Sequence, residues 1–535
     1  MSRAAARPPA SATLILLVAC VAQLMLILDD TIVNVALPTI GDELAFSERS
    51  LSWVVNAYLL TFGGFLLIGG RVADRIGARR MFAISMAAFA GASALCAAAW
   101  SAESLVIGRG LQGLAGAMLS PAALSIILAT FREGPGRTRA LSVWASLIGI
   151  GAATGLLLGG ALTELLDWRW VFLINLPIAG VTLLLVPRVV PADDQRDARA
   201  RPNLTGALLG TGALLLLVYT VVETHTQGWT STRTLLGFAV VVAMTVAFLA
   251  SERRSDEPLV PLSLLRRRRA MTANLLVLIG AAGLLAMFFF QTLFIQRVLG
   301  WSPLETGAAF LPFSVSMGIS AGLTGRFLAR TDARIPTALG LAGAAAGLYL
   351  MSTLTPDSSY VGHLVPAFAL TAAGIGMALV VLMAVATGDA DERDGGVASA
   401  LLTTGQQIGG AIGIAAMVTV ASNRTASAVT EGRGPDLALT DGFSAAFQTQ
   451  AGMMLAGAVI GILLLGPARR ARTAGQIPAE EPVPPGGGTE TAEDAPSSHS
   501  TDAPRAADLT TLSESNAHLI RVAEISIPNS SNTKS

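Results

Sequence analysis

Two carboxylates stand side by side in the stretch LDDTIVNVALP, residues 28–38, at the end of an apolar run that begins near residue 12. Burying one charged side chain near the centre of a membrane helix costs about 2.5–3.5 kcal/mol on an insertion scale, so Asp29 and Asp30 need a partner or a short route to water. Arg109, in another apolar segment, offers the partner. A carboxylate beside a guanidinium that can move against or away from it is a device for taking up and releasing a proton. Other chemistries find few reagents. The only lysine is Lys534, which excludes a Walker-type phosphate loop. His225, His363, His499 and His518 lie in a loop, near a helix end and in the tail, leaving an embedded hydrolase few bases, so no enzyme, cofactor or metal site is read. Cys20 and Cys96 fall in apolar runs and read as small buried hydrophobes.

Such groups must be held by membrane-spanning elements. The chain is 52% hydrophobic and 13% charged, with a mean hydropathy of +0.61, which marks an all-α polytopic membrane protein. Its formal net charge of zero gives no argument for nucleic acid. Windows of about twenty residues predict fourteen helices, over 12–36, 51–70, 81–99, 104–125, 139–163, 168–188, 204–223, 234–251, 271–293, 305–323, 334–353, 362–387, 396–421 and 443–466. Arginines concentrate after windows 2, 4 and 8: Arg71, Arg75, Arg79 and Arg80, then Arg132, Arg137 and Arg139, then Arg253, Arg254 and 266–269. The loops after windows 1, 3 and 5 hold only Arg49 and Arg169. The positive-inside rule therefore predicts a plasma-membrane protein with both termini in the cytoplasm. Residues 467–535, rich in Pro, Gly, Ser, Thr and acids, read as a disordered cytoplasmic tail.

The windows repeat. GRVADRIGAR from Gly70 matches GRFLARTDAR from Gly325 at an offset of 255, and GLLLGGAL from Gly155 matches GQQIGGAI from Gly405 at an offset of 250. Both offsets shift by eight helices. The predicted organisation is a short N-terminus (1–11), a six-helix bundle (12–188), a linker with two inserted helices (189–270), a second six-helix bundle (271–466) and the tail. Two such bundles around a midplane cavity are the plan of a secondary transporter.

LDDTIVNVALP, WVVNAYLL from Trp53, GGRVADRIGARR from Gly69, RGLQGLAGA from Arg109 and WRWVFLINLPIAG from Trp168 together resemble five ordered motifs of the major facilitator superfamily, in its fourteen-helix drug:proton antiporters of the EmrB/QacA type. The resemblance spans about residues 12–466. It implies proton coupling through Asp29, Asp30 and Arg109, and a cytoplasmic latch formed by Gly70, Asp74, Arg75, Gly77, Arg79 and Arg80. It also implies an antiporter-like packing motif at Gly151, Gly155, Gly159 and Gly160. Those glycines recur at about every fourth position, as close helix packing requires. Leu156 stands where the family carries a proline.

Polar groups are sparse in the spans. Asn34, Asn56, Tyr58, Gln112, Gln291, Gln296, Gln406 and Gln407 are the candidates to line a substrate cavity. A sugar permease needs a denser hydrogen-bonding array, so the expected partners are a hydrophobic or amphipathic small molecule, protons and the bilayer. The implied function is proton-coupled efflux of drugs or antibiotics. Export of an endogenous metabolite or siderophore, or a non-transporting receptor or scaffold acting through its tail, are the competing readings. Window 12–36 places Asp29 about seven residues inside the outer helix end and Arg109 at similar depth, so the two are expected to pair. Asp30, turned by about 100° on the same helix, is expected to snorkel to the outer surface.

Overall fold

The computed structural model describes residues 12–131, 135–191, 203–228, 230–255, 258, 267–328, 331–388 and 395–465. The N-terminus and the tail expected over 467–535 lie outside these residues. The described residues form helices and turns with no strand, as lipid requires when each backbone group must be satisfied within its own segment. The first part of the chain gives α1 (Ala12–Glu43), α2 (Glu48–Ile76), α3 (Ala78–Ala97), α4 (Ala102–Thr130), α5 (Pro135–Leu165), α6 (Trp170–Leu173) and α7 (Asn175–Val189). Next come α8 (Leu204–Gln227) and α9 (Thr232–Arg254). The last part gives α10 (Arg268–Leu293), α11 (Pro303–Ala309), α12 (Leu311–Leu328), α13 (Arg334–Met351), α14 (Val365–Gly388), α15 (Gly395–Thr430) and α16 (Pro435–Leu464), with π turns at Phe294–Val298 and Tyr360–Leu364.

Eleven helical segments among the described residues are long and apolar enough to cross a bilayer, and Thr205–Val221 is a shorter apolar one. All fourteen sequence windows are helical, although α5, α8 and α13 fall outside the eleven.

Local sequence explains where helices start and stop. Ser47 with Ser50 caps α2, Ser101 with Ser104 caps α4, and Ser302 with Glu305 caps α11, each as a reciprocal capping box. Helix α1 runs seven residues past the predicted end at 36, because Pro38 removes only one donor near the C-terminal end and the helix continues to Glu43. It stops where Ala45 adopts φ 53° and the Phe46 N–H reaches back to the Gly41 carbonyl at 2.9 Å. Gly77 turns α2 into α3 at φ 96°, a conformation that disfavours any side chain.

One set of pairings occurs twice. Helix α1 packs on α5, α2 on α4, α3 on α4 and α3 on α7; correspondingly α10 packs on α15, α12 on α14, α13 on α14 and α13 on α16. Helices α8 and α9 pair with each other, and α8 leans on α2 and α15. Only 11% of the most apolar window of α9 is buried, against 72% for α2, so α9 is peripheral and α2 central. The two sets of helices meet where α2 lies along α15, α5 against α11 and α1 against α10.

Candidate functional site

Asp29 lies fourteen residues before the end of α1, near its middle, so the aspartates are not at a helix end. Its side chain is 1% exposed and surrounded by three donors from two other helices, α4 and α7. The Oδ2 atom accepts from Arg109 Nη1 at 2.6 Å. The Oδ1 atom accepts from Gln112 Nε2 at 2.9 Å and from Asn175 Nδ2 at 2.7 Å. Arg109 is fully buried, donates from Nε to the Val54 carbonyl at 3.0 Å, and lies 4.3 Å over the Tyr58 ring. Gln112 also accepts from Arg109 at 2.9 Å and from the Cys96 thiol at 3.3 Å, and donates to Ser93 Oγ at 2.8 Å. Asn175 reaches the same Ser93 oxygen at 3.3 Å.

Helix spacing explains the cage. Arg109 and Gln112 are three residues apart and share one face of α4. Gly108 beside Arg109 lets α3 come close: a Cβ there would stand 2.7 Å from Cys96 Sγ. Helix α1 is held on α5 by the glycine row. A Cβ on Gly151 would meet Ile27, one on Gly155 would meet Thr31, and one on Gly159 would run into the Ile32 carbonyl. Gly160 faces Pro303 and Leu304 instead, so the row serves two interfaces. Leu156, in the place of the expected proline, is 1% exposed, and its carbonyl lies against Gly307.

The other candidates separate into several environments. Gln112, expected at a substrate cavity, is fully buried in the cage, and Tyr58 stacks on Arg109. Asn34 donates back to the carbonyls of Asp30 and Thr31 at 3.0 and 3.3 Å. Asn56 and Gln291 are fully buried, with neither amide atom bonded among the described residues. Gln406 and Gln407 are half-buried on α15, where Gly63 of α2 approaches Gln407. Asp30 is half-buried, thirteen residues from Glu43, a rise of about 20 Å, which corrects the expectation that it snorkels to the outer surface.

Of the latch residues, the Asp74 side chain lies outside what the structure describes. Gly70 has open space where a Cβ would be, Arg75 and Arg80 are exposed, and Arg79 Nη2 donates to the Pro187 carbonyl at 3.1 Å.

At the end of the molecule holding residues 35–43, the two sets of helices are joined. Gln296 donates to the Val35 carbonyl at 2.9 Å, Arg297 pairs with Asp42, and the Leu304 N–H donates to Glu164 at 2.9 Å. Gln296 is thus a strut between α1 and the turn after α10. Beside it Arg169 pairs with Glu43 at 2.6 Å, and that hydrogen bond raises the guanidinium's proton affinity above its ordinary value. Trp168 donates to the same Glu43 at 2.6 Å.

Sequence reasoning missed Asn175, Ser93 and the Asp42–Arg297 pair. Asn175 carried a usable signal, being the one amide in the apolar stretch VFLINLPIAG.

The model of the Major Facilitator Superfamily matches residues 19–414. A puromycin resistance protein of Streptomyces alboniger is 39% identical over 457 residues, covering 84% of this chain and 90% of the relative. A cephamycin export protein of Amycolatopsis lactamdurans is 37% identical over 453 residues, covering 84% and 92%. Among solved structures, a bacterial homolog of the human lysosomal transporter Spinster superposes with a TM-score of 0.62 at 15% identity, covering 85% of this chain and 97% of the other. A peptide transporter gives 0.60 at 15% identity, covering 84% and 93%, so both show the fold alone.

Proposed function

From the premise that the chain belongs to the major facilitator superfamily, we propose that it exports hydrophobic or amphipathic drugs or antibiotics in exchange for protons, by alternating access. It is a transporter and not an enzyme. The observation that carries the proton reading is the caged Asp29–Arg109 pair near the middle of α1. Protonating Asp29 cancels the charge that Arg109 and two amides converge on, so proton binding and the fit of α1 against α4 and α7 depend on each other. The relatives' named roles in puromycin resistance and cephamycin export support an antibiotic substrate.

The membrane arrangement is part of the same proposal: fourteen spans of the EmrB/QacA type, in two six-helix bundles with α8 and α9 inserted, and both termini in the cytoplasm. The seam through Asp42, Arg297 and Gln296 is then an outer gate, shut in this state. On the opposite side Gly70, Asp74, Arg75, Gly77, Arg79 and Arg80 form the latch that breaks and remakes as the bundles rock. One proton moving down 100 mV gains about 2.3 kcal/mol, and one pH unit adds about 1.4 kcal/mol. That is enough for a substrate gradient of about a hundredfold.

The test is expression in a drug-sensitive host, followed by uptake of a dye and antibiotic panel into inverted vesicles with and without a protonophore. The reading expects resistance to at least one compound and vesicle uptake that the protonophore abolishes. Resistance with protonophore-insensitive uptake would overturn proton drive, and secretion of a host metabolite without any resistance would favour a metabolite exporter.

A further inference from the structure

Every side chain hydrogen-bonded to the Asp29 carboxylate offers it a hydrogen. Arg109 Nη1 donates to Oδ2, and Gln112 Nε2 and Asn175 Nδ2 both donate to Oδ1. That set suits the ionised form. A carboxylic acid carries an O–H of its own and needs an acceptor for it. A new donor left without one in a cage that is 1% exposed or less incurs the full desolvation penalty of the group.

The three neighbours differ in whether they can supply that acceptor. A guanidinium has none. Gln112 is fully committed: its Oε1 accepts from Arg109 Nη1 at 2.9 Å and from the Cys96 thiol at 3.3 Å, while Nε2 donates to Asp29 and to Ser93 Oγ. Turning that amide over would point its N–H groups at the guanidinium. Asn175 is held at one end only. Its Nδ2 spends both hydrogens, on Asp29 at 2.7 Å and on Ser93 Oγ at 3.3 Å, and its Oδ1 is buried with no hydrogen-bond partner among the described residues. The two ends of a carboxamide are nearly equal in size, and the torsion that exchanges them is broad and roughly two-fold, so the exchange requires no repacking. The Ser93 hydroxyl can follow, accepting from Asn175 in one orientation and donating to it in the other. One atom of Asn175 lacks a partner either way, so the exchange leaves that cost unchanged.

We propose that Asn175 is a positioning residue for the proton: when Asp29 is protonated on Oδ1, the Asn175 amide turns over, accepts the new O–H through its own Oδ1, and takes a hydrogen from Ser93. The inference rests on the proposed proton site at Asp29 and adds how the cage holds both forms of that site. Asp29 keeps its bond to α7 in either state, while Ser93 of α3 changes from acceptor to donor toward α7. The titratable and charged groups around the site are Arg109 on α4, Cys96 on α3, Tyr58 on α2 and Asp30 on α1. Helices α5 and α10 carry charges only at their ends, and α7 only Arg188, thirteen residues beyond Asn175. Among these groups none that bonds to Asp29 can take the proton's hydrogen bond in place of Asn175.

The test is infrared difference spectroscopy of the full chain in lipid nanodiscs, taken from alkaline to acid pH, with asparagine isotope-labelled at its side-chain carbonyl. A carboxylic-acid band that Asp29→Asn removes identifies protonated Asp29. In the wild type the labelled amide band should change at the pH where that acid band appears. Asn175→Leu should lose the amide change, and its acid band should move to higher frequency because the O–H has lost its acceptor. Asn175→Ala, which adds no bulk, should read the same. An acid band with no accompanying amide change, an amide change that both variants keep, or an acid band at the wild-type frequency in both would overturn the exchange and leave Asp29 as the proton site. Absence of any band that Asp29→Asn removes would overturn the proton site itself, and this inference with it.

Discussion

Replacing Arg109 by glutamine removes the guanidinium from Asp29 but leaves Gln112 and Asn175 donating to it. Both members of the pair are buried, at 1% exposure or less, and they are 2.6 Å apart. Deleting one partner of such a pair costs about 3–5 kcal/mol, because the remaining charge stays in a medium that cannot solvate it. Losing the bond to the Val54 carbonyl and the stacking on Tyr58 adds about 1–3 kcal/mol. Neutralising Asp29 as well, in the double variant Arg109→Gln with Asp29→Asn, removes the first cost and keeps the second. The double variant should therefore be more stable than Arg109→Gln alone, by about 2 kcal/mol or more. Thermal unfolding of all four proteins of the cycle in one detergent, followed by helical circular dichroism, measures this. If the double variant is only as stable as the sum of the two single effects, the charges are not coupled and the cage has no electrostatic role.

Asp30 bonds to no other side chain in the structure described, so Asp30→Asn should retain roughly half or more of gradient-driven transport in proteoliposomes; complete loss would move the proton site to Asp30. Gly159→Val drives a branched side chain into the Ile32 carbonyl and should destabilise the α1–α5 contact by about 1–3 kcal/mol, seen as a lower melting temperature than that of Gly180→Val, whose site is open. Arg297→Ala breaks a pair that is 38% and 64% exposed, worth about 0.2–1 kcal/mol, so labelling of a cysteine placed near Gln296 should accelerate by only about 1.4- to 5-fold. A larger acceleration would mean that the pair governs the gate alone.

Hydropathy placed its windows on helices among the described residues, and eleven helical segments there are long and apolar enough to cross a bilayer, because length and apolarity are what a bilayer selects. The Asp29–Arg109 pair was also legible, since two ionisable groups at similar depth in one bundle have few other partners. Depth itself was misjudged. A window ending at 36 puts Asp29 about seven residues from the outer end, whereas the helix continues to Glu43, because a proline close to the C-terminal end of a helix removes only one bond. Asn175 and Ser93 escaped notice because a single polar residue in an apolar run has no periodicity, and its meaning depends on which helix lies opposite. The same gap let Gln112 read as cavity lining: sequence spacing places it one turn from Arg109 but cannot tell the inside of a bundle from the wall of a cavity.

The most direct test of proton coupling at Asp29 compares two modes of transport by one variant. In proteoliposomes, Asp29→Asn should abolish drug accumulation driven by an imposed pH gradient, together with the drug-induced proton flux. It should keep drug-for-drug counterflow near the wild-type rate, because substrate exchange needs no net proton movement. Gradient-driven accumulation that persists in Asp29→Asn, with proton flux intact, would contradict the account.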